Sequence, residues 1–164
     1  MFTFLSGTFI LISKGMKGWE IYATSWGILI LTGATLGTLM FLNVWMIIWP
    51  AQQVVIASTN QVAEGGVALP DAAGCAAKAA LASRTNTLFS VPMLLFMGAA
   101  SHFPVGVTEE TSISGLFWVL AIIIGALEIN GVIGKPGPMA SVKGVIISGF
   151  VLTVVLFGVI GFLV

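Results

Sequence analysis

Long apolar runs, broken by very few charges, set the limits on what this chain can become. Of its 164 residues, 58% are hydrophobic and only 7% are charged. A soluble domain carries about a quarter charged residues. Six basic and six acidic side chains cannot coat a water-facing surface on a protein of this size. The medium around the runs is therefore expected to be lipid, and runs of about 20 apolar residues suit helices that cross it. The fold class that follows is all-α: one membrane domain over 1–164, an integral bundle of about four transmembrane helices with a surface helical connector.

The first run, through Gly15, holds about 13 apolar residues, short of the roughly 20 needed to span. It has no positive start and no A-x-A cleavage site, so residues 1–16 read as an interfacial lead-in rather than a signal peptide. The first span is expected over 19–49, ending at Pro50. Trp19, Tyr22 and Trp26 at one end and Trp45 and Trp49 at the other mark the two headgroup layers. Between them Gly33 and Gly37 form a GxxxG, the spacing that lets a neighbouring backbone approach closely. Residues 51–84 are the polar connector, read as two peripheral helices, Ala51 to Ala63 and Asp71 to Ser83. Three further spans follow at 86–103, with Pro92 near the start, 112–130 and 142–164. The last two are joined by a rigid turn containing Pro136 and Pro138.

Four spans put both termini on one side. That side carries Lys14 and Lys17, with Glu109 and Glu110 in the loop after the second span, while Lys78, Arg84, Lys135 and Lys143 fall on the other. Basic loops stay inside, so both termini are expected outside a cell membrane of the bacterial inner type. Zero net charge makes nucleic acid an unexpected partner. The single Cys75 excludes an internal disulfide and a CxxCH haem attachment.

Ionisable residues in or beside a span are expensive, and each is a functional candidate by default. Glu20, Arg84, His102 and Glu128 qualify. Glu20 and His102 fall at the expected outer face. Arg84 and Glu128 fall at the inner one, with Asn43, Asn86 and Asn130 at neighbouring depth. His102 is either one ligand of a metal or haem shared with another subunit, or an interfacial histidine at a helix end. As the only histidine, it leaves the chain alone with no cofactor site of its own. Arg84 and Glu128 are expected to form a structural ion pair, the alternative being that each snorkels to headgroups. Thr85 or Asn86 is expected to cap the second span, with an anion beside Arg84 as the other reading. The methionines read as packing residues.

The segments Asn43 to Gln53, Leu81 to Thr87, Pro92-Met93 through His102, and Leu127 to Gly131 followed by Gly134-Lys135 resemble the membrane domain of bacterial membrane-bound urate oxidases. The resemblance runs over roughly residues 25 to 164 and corresponds to the latter half of that domain, without the cytochrome c domain that follows it in the family. It implies membrane redox chemistry in which urate oxidation delivers electrons to a cytochrome c. The leading expectation is an accessory or jointly catalytic subunit of a larger membrane oxidoreductase or respiratory complex, not catalytic on its own. Its partners would be the lipid bilayer and other membrane subunits or further copies of itself. The alternative is a urate-oxidase-like enzyme that passes electrons to a separate cytochrome c, with His102, Arg84, Asn86 and Glu128 lining the site and haem or copper held jointly with a partner. A transporter or channel is disfavoured, since few charges line a path and no span is broken at mid-depth.

Overall fold

A computed structural model describes residues 1–108 and 111–164; Glu109 and Glu110, which entered the charge count, lie outside the described residues. The described chain is helical throughout: α1 (Phe2–Gly15), α2 (Ser25–Asn43), α3 (Trp49–Ala63), α4 (Ala72–His102), α5 (Ile113–Ile133) and α6 (Val142–Leu163). Short 3₁₀ segments at Trp19–Ala23 and Gly137–Ala140 lead into α2 and α6.

Three helices are long and apolar enough to cross a membrane: the continuous Ser25–Ala63, Ile113–Ile133 and Val142–Leu163. The expected second span is not among them, and the packing supplies the reason. It belongs to α4, which sits at the centre of the bundle against α2, α3, α5 and α6. Pro92, Thr85, Phe89 and Phe96 of α4 are all buried. A helix surrounded by protein need not present an apolar face to lipid all round. The core that α4 organises takes Ile28, Leu29 and Leu36 from α2, Leu120 and Ile124 from α5, and Leu152 and Leu156 from α6.

Three of these neighbours, α2, α5 and α6, meet α4 through a glycine. A β-carbon on Gly33 of α2 would come within 3.3 Å of the Met93 carbonyl oxygen and the Met97 amide. One on Gly131 of α5 would lie 2.6 Å from Thr85 Oγ1, and one on Gly149 of α6 would lie 2.9 Å from Val91 Cγ2. Gly37 leaves ordinary room, 3.4 Å from Met93 Sδ. Close backbone approach over small residues is how helices gain dispersion energy where water supplies no drive to associate.

Three expectations of the sequence are corrected. The connector over 51–84 is not a pair of separate surface helices. Helix α2 runs on through one π-helical stretch, Val44–Ile48, into α3, and α4 already begins at Ala72, so only residues 64–71 are loop. Pro50 does not end the helix because the widened π-turn includes Met46, the residue whose carbonyl a proline ring would strike in a regular α-helix. At 39 residues the α2–α3 helix is about 58 Å long, nearly twice the ~30 Å hydrocarbon core. Helix α3 and the first turns of α4 pack together as a hairpin. Ala51 and Ser58 of α3 and Ala79 and Ala82 of α4 are buried in it, and Ser58 Oγ accepts a hydrogen bond from the Leu69 amide at 3.0 Å.

The second correction concerns residues 1–16. Instead of lying in the interface, α1 folds back along α2: Lys14 sits over the Trp26 ring, and ten residues earlier Phe4 stacks on Phe41 with ring centroids 4.1 Å apart. Gly18, at φ 150, and the hydrogen bond from the Tyr22 hydroxyl to the Leu11 carbonyl hold this reversal. The third correction follows from the second. The chain start lies against the far half of α2, whereas the Val164 carbonyl accepts a hydrogen bond from Thr111 Oγ1 just ahead of α5. The two termini are not at one end of the bundle.

Candidate functional site

The bundle has two ends. At the His102 end α2 begins, α4 finishes and α5 begins, with the Val105 amide donating to Ser25 Oγ at 2.7 Å. At the Arg84 end α2 passes into α3 and α5 closes against α4 at Gly131.

Just inside the Arg84 end, three helices bring three polar side chains together. Asn43 is the last residue of α2, 2% exposed, and its amide nitrogen donates to Asn86 Oδ1 at 3.0 Å and to Glu128 Oε2 at 3.1 Å. Asn86, in the middle of α4, donates in turn to the Met40 carbonyl of α2 at 3.0 Å. Glu128 comes from α5 and is the only acidic residue in the three apolar helices. It lies five residues before the end of its helix, about 8 Å inside it. No buried side-chain polar atom among the described residues lacks a partner. An amide that bridges a second amide and a carboxylate holds that carboxylate in one orientation. Such a group can take up a proton while its second oxygen keeps a fixed direction.

Arg84 does not join this cluster, and the expected ion pair with Glu128 does not form among the described residues. Asn86 faces α2, and Arg84, two positions earlier, points about 200° away around the helix. Arg84 instead lines a groove with Lys78 on α4, Ile133 at the end of α5, and Gly134 and Pro136 after it. The capping role expected for Thr85 and Asn86 also falls away. Both are mid-helix, and Thr85 Oγ1 bonds back to the Leu81 carbonyl at 3.1 Å. With no helix start beside Arg84, no helix N-terminus is there to hold an anion. Asn130, expected at the same depth as Glu128, closes the turn after α5 through its two hydrogen bonds to the Lys135 backbone.

His102 and Glu20 are both exposed at the opposite end, His102 as the last residue of α4 and Glu20 in the 3₁₀ segment before α2. Among the described residues no three His, Cys, Asp or Glu side chains gather into a metal-binding group. His102, at the end of α4, stands remote from the Asn43 cluster. Of the four residues read as one lining, the structure joins Asn86 and Glu128 and separates Arg84 and His102. Asn43, which the sequence offered for its depth and as the start of a family-like segment but not as a site residue, is the hub.

The sequence matches the family described as Urate oxidase N-terminal over residues 2–135. The match takes in α1, which the resemblance read from the motifs left out, and stops ahead of α6. No curated protein and no solved structure matches the chain.

Proposed function

The chain belongs to the urate oxidase N-terminal family, and from that premise we propose that it is a membrane-embedded subunit, accessory or jointly catalytic, of a urate-oxidase-type redox assembly. The observation that carries this reading is the convergence of Asn43, Asn86 and Glu128 from three separate helices. An intramembrane carboxylate is costly and is kept where it serves a pathway or a site. Oxidising a purine ring removes protons as well as electrons. Glu128 is the group in this chain suited to accept the proton, and the Asn43 and Asn86 amides fix its direction. A cytochrome c on a partner chain would supply the electron acceptor, as the resemblance to the family implies, while His102 stands at the end of the bundle away from Glu128.

In this reading the Arg84 end faces the cytoplasm of a bacterial-type cell. Lys78, Arg84, Lys135 and Lys143 cluster there against Lys14 and Lys17 at the other end, which fits the bias of basic residues to the inside. Val164 then faces outward, on the side where the family's cytochrome c would be met. A second reading, in which copies of this chain form the complete enzyme and hand electrons to a separate cytochrome c, is favoured by the family match alone.

Purification in mild detergent tests both. The proposal expects the chain to elute with other membrane subunits, and expects membranes holding the assembly to reduce cytochrome c when urate is added. Urate-dependent reduction by the chain as its own homo-oligomer selects the second reading. Recovery as a solitary chain from membranes with no urate-dependent reduction overturns both.

A further inference from the structure

We infer that the groove between α4 and the end of α5 is a seat for an anionic phospholipid, with Lys78 and Arg84 holding the headgroup phosphate and the outer row of α5 carrying an acyl chain. The groove is lined by Lys78 and Arg84 of α4 on one side and by Ile133, Gly134 and Pro136 on the other, with Ala77 and Ala80 of α4 also in its lining. Neither cation has a hydrogen-bond or ion-pair partner among the described residues, and no acidic residue lines the groove. Two unpaired cations in a mostly apolar groove suit a ligand that is anionic at one end and apolar at the other.

A free anion would satisfy the cations alone. The lipid is favoured because the groove does not end at its cations. Ile133 is shared between the groove and a row along the outer face of α5, where Trp118, Ile122, Ile129 and Ile133 are each at least 60% exposed. Their spacing of four, seven and four residues places them in one line along the helix. The row leads from Ile133, at the headgroup level, toward mid-bilayer. Its polar end coincides with the more basic end of the bundle, where attraction to an anionic leaflet is worth roughly a factor of five for each Lys or Arg near the surface.

Native mass spectrometry of the full chain in mild detergent, with phosphatidylglycerol, phosphatidylcholine or inorganic phosphate added, tests this inference. Phosphatidylglycerol is expected to be retained in preference to phosphatidylcholine, and inorganic phosphate is expected not to displace it. Lys78→Gln should weaken retention about fivefold, Lys78→Gln with Arg84→Gln about 25-fold, and Lys78→Arg should leave it unchanged. Lys78 is exposed, so its single variant carries the test should the double variant misfold. Equal retention of the two lipids, undiminished retention by Lys78→Gln, or displacement by inorganic phosphate overturns the inference, the last by making the groove a free-anion site. None of these outcomes bears on the Asn43 cluster or on urate-dependent activity.

Discussion

Where α4 meets α2, the backbones close over Gly33, and Asn86 ties α4 to the Met40 carbonyl and to Asn43. Where α5 turns away from the bundle, Trp118, Ile122, Ile129 and Ile133 stand exposed, and nothing approaches Gly125 within 4 Å. Both regions are built from similar residues, mostly small or apolar with a scattering of glycine. What separates them is whether a glycine has a backbone or a short, fully buried side chain across from it. In lipid a glycine counts for packing only in the first situation, and interhelical hydrogen bonds add to it there.

That contrast breaks if large residues are tolerated equally in the two regions. Gly131→Leu and Gly149→Leu should each destabilise the bundle by about 3 kcal/mol, since Thr85 is fully buried and Val91 lies on the same packed helix. Gly125→Leu and Gly158→Leu, with open space around them, should stay within about 0.5 kcal/mol. Denaturant titration in detergent micelles measures both. Similar losses at all four positions would remove the distinction between a packed and a lipid-facing glycine.

The hydrogen-bonded part of the α2–α4 contact should count for less. Asn86→Leu removes the bonds to Asn43 and Met40, and interhelical bonds of this kind contribute about 0.6 kcal/mol each. A loss of about 1 to 2 kcal/mol is expected in the same titration. A neutral or stabilising result would mean that the cluster is dispensable to the fold. Arg84→Gln should likewise change stability by no more than about 0.5 kcal/mol because the side chain has no hydrogen-bond or ion-pair partner among the described residues. A loss of 3 to 5 kcal/mol, the cost of leaving a buried charge without its mate, would instead restore the Arg84–Glu128 ion pair.

Much of the fold was legible in the sequence. The last two helices lie close to their expected bounds, because 112–130 and 142–164 are continuous apolar runs with turn residues between them. The α3–α4 hairpin was not legible. Pro50 reads as a stop unless the π-turn ahead of it is known, and the alanines after Asp71 favour helix without revealing that it continues into the span. In the cluster, depth along the membrane grouped Arg84, Asn86 and Glu128 correctly, but depth is only one coordinate. Helical phase allows just one of Arg84 and Asn86 to face α2 and Glu128, and choosing between them requires the position of α5. The packing roles of Gly131 and Gly149 were not legible because 20 glycines are spread along the chain and only the neighbour opposite distinguishes them.

The direct test of the central claim is Glu128→Gln in native membranes, with assembly with partner chains checked in parallel. The amide keeps the shape and can still bond Asn43, so the bundle should insert and co-purify as before while urate-dependent reduction of cytochrome c falls at least about 100-fold, as for loss of a proton-transfer group. Full activity in a variant that assembles normally would contradict the claim that the carboxylate held by Asn43 carries the chemistry.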